Sequence, residues 1–197
     1  MGTPPKLMKQ VYEEASKGNW DSMKKAYDGE YDKYMMSPIT CLKDTAFHLA
    51  VYSRKDEPLE SLLANVKKKK IPWSPCTLQN AYGNTVLHEA VFVGNMKAVE
   101  LLLQFTPEEQ SGYDPSMQLK TKNALGETPL YRAASCGKKE IVEYLVIKMK
   151  QIYEGKLLEV HRGREDSKPI LHAAIQGQHF GFVLILIISQ MKLSRHL

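Results

Sequence analysis

One six-residue phrase occurs four times in this chain, and its spacing restricts the fold more than any other feature of the sequence. The copies are Thr45-Ala46-Phe47-His48-Leu49-Ala50, Thr85-Val86-Leu87-His88-Glu89-Ala90, Thr128-Pro129-Leu130-Tyr131-Arg132-Ala133 and Pro169-Ile170-Leu171-His172-Ala173-Ala174, displaced by 40, 43 and 41 residues. A period of this length is the mark of stacked supersecondary units. The copies agree well beyond the phrase. Gly94 and Gly137 follow six residues after the fourth position, and Arg54 stands there in the first copy. Apolar triads at i, i+3, i+4 recur before that place as Phe47, Ala50, Val51; Leu87, Ala90, Val91; and Leu130, Ala133, Ala134. They recur after it as Leu59, Leu62, Leu63; Val99, Leu102, Leu103; and Val142, Leu145, Val146. Glu60, Glu100 and Glu143 each follow the first residue of the later triad.

Triads with this spacing give each unit two short helices with one apolar stripe apiece. The glycine between them suits a tight turn, since it accepts positive φ without a Cβ clash. Thr is a good N-cap for the first helix, worth roughly 0.5–2 kcal/mol over Ala. Pro129 follows Thr128 where a missing N–H costs nothing. Two such helices cannot bury their stripes alone, so stability must come from stacking neighbour on neighbour into one elongated core. The expected class is all-α, a solenoid of helix–turn–helix units with long connections. The chain is expected to form a single domain over 1–197, with units at 44–66, 84–105, 127–150 and 168–190. A degenerate capping unit at 7–40 carries Val11, Ala15, Gly18, Met23, Ala26 and Tyr27 in the same phase. The last unit departs from the pattern: Gly177 comes one residue early, and Phe180–Ile188 is apolar nearly all round apart from Gly181. That edge is expected to be either an interface or the mark of a missing continuation.

The repeated phrase resembles the Thr-Pro-Leu-His-x-Ala signature of the ankyrin repeat, over roughly Thr45 to Ile188. The units are longer than usual because of Lys67–Pro75, Thr106–Lys122 and Glu154–Ser167. The layout is also similar to a plant family of ankyrin proteins with a C-terminal multi-helix membrane domain, linked to defence, cell death and salt-stress signalling. Tyr12–Trp20 and Ile170–His179 carry that second likeness, and the membrane domain is not part of this sequence. The ankyrin resemblance implies that His48, His88 and His172 make structural hydrogen bonds to the Thr and backbone of the turn. It also implies that a partner protein meets the loop tips and first helices. By position these are Lys43 and Asp44; Tyr82 and Asn84; Leu125 and Glu127; with Leu49, Glu89 and Arg132 on the first helices.

Other chemistries fit the residues poorly. His172 and His179 lack the His-Glu-x-x-His spacing of a zinc site. Cys41, Cys76 and Cys136 have neither the spacing of a disulfide or zinc framework nor a recognised His–Asp companion. Gly137-Lys138-Lys139 lacks the upstream glycine of a phosphate loop, and the carboxylate pairs Glu108–Glu109 and Glu165–Asp166 fall in polar connections. The expectation is therefore a binding protein with no cofactor, no metal and no enzymatic reaction. A net charge of +5 is too mild for a dedicated nucleic-acid binder. Lys67, Lys68, Lys69 and Lys70 supply nearly all of it, and they are expected in a solvated loop, with weak contact to an anionic membrane as the alternative. The N-terminus has no signal-peptide pattern, and unpaired cysteines suit a reducing compartment. A cytoplasmic protein follows, with the inner face of a membrane or the nucleus as further possibilities. The role expected is a signalling scaffold, or else a soluble or truncated form of a membrane-linked ankyrin protein; an enzyme built on the repeat is a remote third.

Overall fold

The computed structural model describes residues 5–28, 34–70, 74–106, 114, 116–153 and 169–176. The expected apolar edge Phe180–Ile188, Gly177, His179 and the pairs Glu108–Glu109 and Glu165–Asp166 lie outside them. The described residues form helices and turns, with an isolated antiparallel bridge between Gln79 and Thr85 and no strand among them. The helices are α1 (Pro5–Ser16), α2 (Trp20–Lys25), α3 (Ala46–Tyr52), α4 (Asp56–Lys68), α5 (Val86–Val93), α6 (Met96–Gln104), α7 (Ser116–Lys120), α8 (Pro129–Ser135), α9 (Lys139–Tyr153) and α10 (Ile170–Gln176).

Each first helix packs on the second helix of its own unit: α1 on α2, α3 on α4, α5 on α6, α8 on α9. The first helices then stack in the order α1, α3, α5, α8, α10, and the second helices α4, α6, α9 form a parallel row. This is the all-α solenoid that the repeat requires. The first-helix triads are all buried, Phe47, Ala50, Leu87, Ala90 and Ala133 completely. The second-helix triads are buried too, except that Leu103 is only partly covered. Alanine at the repeated inner positions leaves no bulk between neighbouring backbones, which lets the units approach closely.

Capping follows the residues. Thr85 Oγ1 accepts from the His88 N–H at 3.3 Å, and Thr128 Oγ1 from the Tyr131 N–H at 3.2 Å. The helix–helix turn holds a left-handed residue in each of the four units where it is described: Gly18 (φ 77°), Gly94 (φ 77°) and Gly137 (φ 68°), with Arg54 (φ 56°) forced into the same geometry. A side chain there is held against its own preference by the packing of α3 and α4.

Two expectations need correction. The lysine run is not a solvated loop: Lys67 and Lys68 form the last turn of α4 and Lys69 caps it. Cations suit a helix C-terminus, where unpaired carbonyls leave partial negative charge. Lys67 also lies over the Phe105 ring, 5.5 Å from its centroid, and Lys69 Nζ pairs with Asp28 at 3.1 Å. The inter-unit segments, expected as loops, contain helix α7 and a 3-10 turn at Pro75–Thr77. Each sends a residue into the core, Leu119 and Cys76, and that burial stabilises these two short elements, whose sequence has no helical period.

Candidate functional site

Between one unit and the next the chain makes a tight hairpin-like tip. The Asn80 N–H donates to the Asn84 carbonyl and the Gly83 N–H to that of Asn80, both at 2.9 Å. The same two bonds recur at Asn123, Gly126 and Glu127. In the first tip the Lys43 N–H donates to Thr40 O at 3.0 Å. Lys43 (φ 60°), Gly83 (φ 69°) and Gly126 (φ 73°) share the left-handed place. Neighbouring tips are bonded to each other, Ala81 N–H to Leu42 O at 2.7 Å and Ala124 N–H to Tyr82 O at 3.0 Å. At Gly83 this approach leaves no room for a side chain, since a Cβ would lie 2.6 Å from Ala124 N.

Behind the tips runs a buried polar ladder. Asn80 Nδ2 donates to Asp44 Oδ1 and to Glu89 Oε1, each at 3.1 Å, while its Oδ1 accepts the backbone N–H groups of Tyr82 and Asn84. Asn84 Nδ2 donates to the same Glu89 oxygen at 2.7 Å, and Asn84 Oδ1 accepts from Asn123 at 2.9 Å. Asn123 then donates to Glu127 Oε2 at 3.0 Å, which also takes Arg132 Nη1 at 3.1 Å. At the other end Asp44 accepts from the hydroxyls of Thr40 and Tyr52. Asp44, Glu89 and Glu127 are each 5 % exposed. Carboxylates can stay this deep because directed N–H and O–H donors replace the water they lose.

The histidines clamp this ladder to the helices. The Thr85 backbone N–H donates to His88 Nδ1 at 3.2 Å, so that nitrogen is the acceptor. His88 Nε2 must then carry the proton, and it donates to the Glu127 carbonyl of the next unit at 2.9 Å. His48 repeats the arrangement, with Nε2 donating to Asn84 O at 3.2 Å. Burial pushes the basicity of both rings down, that of His88 to about 4. They are fixed neutral linkers between units, as the resemblance implied. His172 is a correction. It is exposed and makes no hydrogen bond with the described residues, and Pro169 stands where the other units have the capping Thr.

In front of the ladder lie two adjoining grooves of about 460 Å³ each, with Leu42, Asp44 and Tyr52 lining both; side by side they make up the channel of this face. Of the residues proposed from sequence, Asp44, Tyr82, Asn84, Glu89, Leu125 and Arg132 line the first groove and Leu49 the second. Glu127 lies beneath, bonded to Arg132, and Lys43 is an exposed tip residue in neither groove. Sequence reasoning missed Asn80, Asn123, Tyr52 and Phe92. A signal for the two asparagines was present: Asn80-Ala-Tyr-Gly-Asn-Thr85 and Asn123-Ala-Leu-Gly-Glu-Thr128 repeat one pattern just upstream of the phrase used for alignment. Among the described residues no three His, Cys, Asp or Glu side chains gather as metal ligands. No helix among them is long and apolar enough to cross a membrane.

Stacked helix pairs, bonded tips and a lined groove define a helical-repeat scaffold. The family pattern described as "Ankyrin repeats (3 copies)" matches residues 47–154 and again residues 108–195. The chain belongs to the ankyrin-repeat family, whose members are protein–protein interaction modules and typically not enzymes. It is similar to the Ankyrin repeat domain-containing protein 13C-A of Xenopus laevis, with 36% identity over 73 residues, which is 37% of this chain and 12% of that protein.

Proposed function

We propose that this chain is a signalling scaffold that holds a segment of a partner protein along the channel from Tyr12 to Arg132. One observation carries the reading. Among the described residues ten large hydrophobic side chains are exposed, and six of them (Tyr12, Leu42, Tyr52, Tyr82, Phe92 and Leu125) line the two adjoining grooves. Exposed apolar area gathered in one concave strip, with polar groups at fixed places along it, is what a protein interface needs. Asp44, Leu49, Tyr82, Asn84, Glu89, Leu125 and Arg132 are the partner-facing set in this reading, with Lys43 at the rim and Glu127 holding Arg132 from below. A role in stress or defence signalling rests on the likeness to the plant ankyrin family, carried by Tyr12–Trp20 and Ile170–His179. The compartment that goes with this reading is the cytoplasm, with the inner face of a membrane or the nucleus as alternatives.

Affinity capture followed by mass spectrometry tests the site. The double variant Tyr82→Ser, Phe92→Ser should lose the captured partners. The variant Met117→Ser, Ile147→Ser, altered at exposed apolar residues outside the channel, should keep them. Equal capture by both variants, with unchanged thermal melts, would place the interface elsewhere.

A further inference from the structure

The ladder has two comparable steps that carry opposite charge. In one, Arg132 stacks on the Phe92 ring at 4.7 Å from its centroid, and its guanidinium is held by Glu127. Moving back one unit, Phe92 becomes Tyr52, Glu127 becomes Asn84 and Arg132 becomes Glu89, at intervals of 40, 43 and 43 residues. The place that holds a cation beside Phe92 therefore holds a carboxylate beside Tyr52, with Asp44 as a second one bonded to the Tyr52 hydroxyl at 3.2 Å. Tyr52 feels both charges. Burial first, then Glu89 and Asp44, push its hydroxyl well above the ordinary tyrosine range.

No side chain of the described residues forms an ion pair with Asp44 or Glu89. Asp44 is nearly saturated with hydrogen bonds, but Glu89 uses only Oε1 for Asn80 and Asn84. Its Oε2 takes no hydrogen bond from the described residues and is not among their fully covered polar atoms. The charged side chains lining the first groove are Asp44, Glu89 and Arg132, and Arg132 is already matched by Glu127. The groove is thus acidic although the chain as a whole carries a net charge of +5.

Two carboxylates below an aromatic wall form a slot for a cation, which gains from the charge pair and from the ring face together. Resting on the binding role proposed above, we infer that the partner is an extended basic segment that places an arginine or lysine side chain against Tyr52, paired with Glu89. Phe92 with Arg132 is the protein's own example of the same contact. The flanking residues of the segment lie against Leu42 and Tyr82, so its pattern is a cation with apolar neighbours.

A displayed library of random twelve-residue peptides, selected on the full chain, supplies the probe. The winning peptide is labelled and its binding followed by fluorescence anisotropy. Selected peptides should carry Arg or Lys at a constant distance from an apolar residue. Binding should fall tenfold or more with Glu89→Gln, which keeps an oxygen for the two amide donors, and also with Asp44→Asn. Glu140→Gln, on the exposed side of α9, should change nothing. If a carboxamide variant melts early, replacing the peptide's arginine with citrulline gives the same comparison from the other partner. Peptides that bind the channel, shown by loss with Tyr52→Ala, but are neutral or indifferent to Glu89→Gln would overturn this inference and leave the binding role intact. Peptides indifferent to Tyr52→Ala, Glu89→Gln and Asp44→Asn alike would remove both.

Discussion

The two long edges of this stack are made of opposite materials. Along the row of α4, α6 and α9, the units meet through aliphatic side chains such as Leu62, Leu102 and Leu145, all fully covered. Along the tips they meet through amides, carboxylates, two imidazoles and backbone bonds from tip to tip. Apolar contact is not directional, and much of its strength scales with area. The tip bonds have donors and acceptors that fit one register only. The difference teaches that the helix rows supply most of the cohesion, while the tips fix how one unit is placed on the next.

That division can be broken from either side. The largest effect is expected at the apolar edge. Leu102→Asp puts an unpaired charge among fully buried side chains and should cost at least about 4 kcal/mol, enough to unfold the stack. Circular dichroism at 25 °C would show it, and a folded variant with a near-native melt would mean that the row of second helices contributes little.

The polar edge should reveal itself through acid. His88 is held neutral, with its pKa pushed from 6.5 to about 4 mainly by burial. The unfolded chain therefore binds a proton before the folded one does. The stabilisation is fully present above pH 6.5 and is lost as pH falls through about 4, on the order of 3 kcal/mol for this one ring. Urea unfolding between pH 7 and pH 4 measures it. A His88→Ala variant should start about 1–2 kcal/mol weaker at pH 7 and lose less over the same range. An identical slope in the two proteins would remove His88 from the clamp.

The smallest effect sharpens the comparison at the turns. Arg54→Gly relieves a side chain held at φ 56° in the place where the other units have glycine, and should raise stability by about 0.5–1 kcal/mol. A lowered melting temperature would show that the arginine makes a compensating contact.

The apolar edge was legible in the sequence and the polar edge largely was not. The triads announce themselves because an apolar residue every three or four positions has one helical meaning. Thr85, His88 and Gly94 fall at fixed offsets from them, so the turn and the cap came with the helices. Asn80 and Asn123 also keep a fixed offset, five residues before the Thr, but nothing in that spacing says that they are buried. An asparagine upstream of a glycine reads as a loop tip facing water; three of the hydrogen bonds of Asn80 stay within its own unit, and the docked neighbouring tip adds the fourth, to Asp44. Asp44, Glu89 and Glu127 were picked as surface residues for a partner, whereas the ladder buries most of each side chain. Tyr52 and Phe92 were missed because they end their helices outside the apolar triads, where an aromatic side chain has no predictable neighbour.

The bonded tips also have a mechanical consequence. A hydrogen bond is directional and weakens steeply as it tilts, whereas apolar contact has no preferred direction and survives a small sideways shift. With Ala81 tied to Leu42 and Ala124 tied to Tyr82, the tip edge is the stiff one. When the solenoid flexes it should pivot about that line, as a book opens about its spine, with α4, α6 and α9 fanning apart or together. The channel beside the spine keeps its width while the far side breathes, so a bound segment would feel little of the motion.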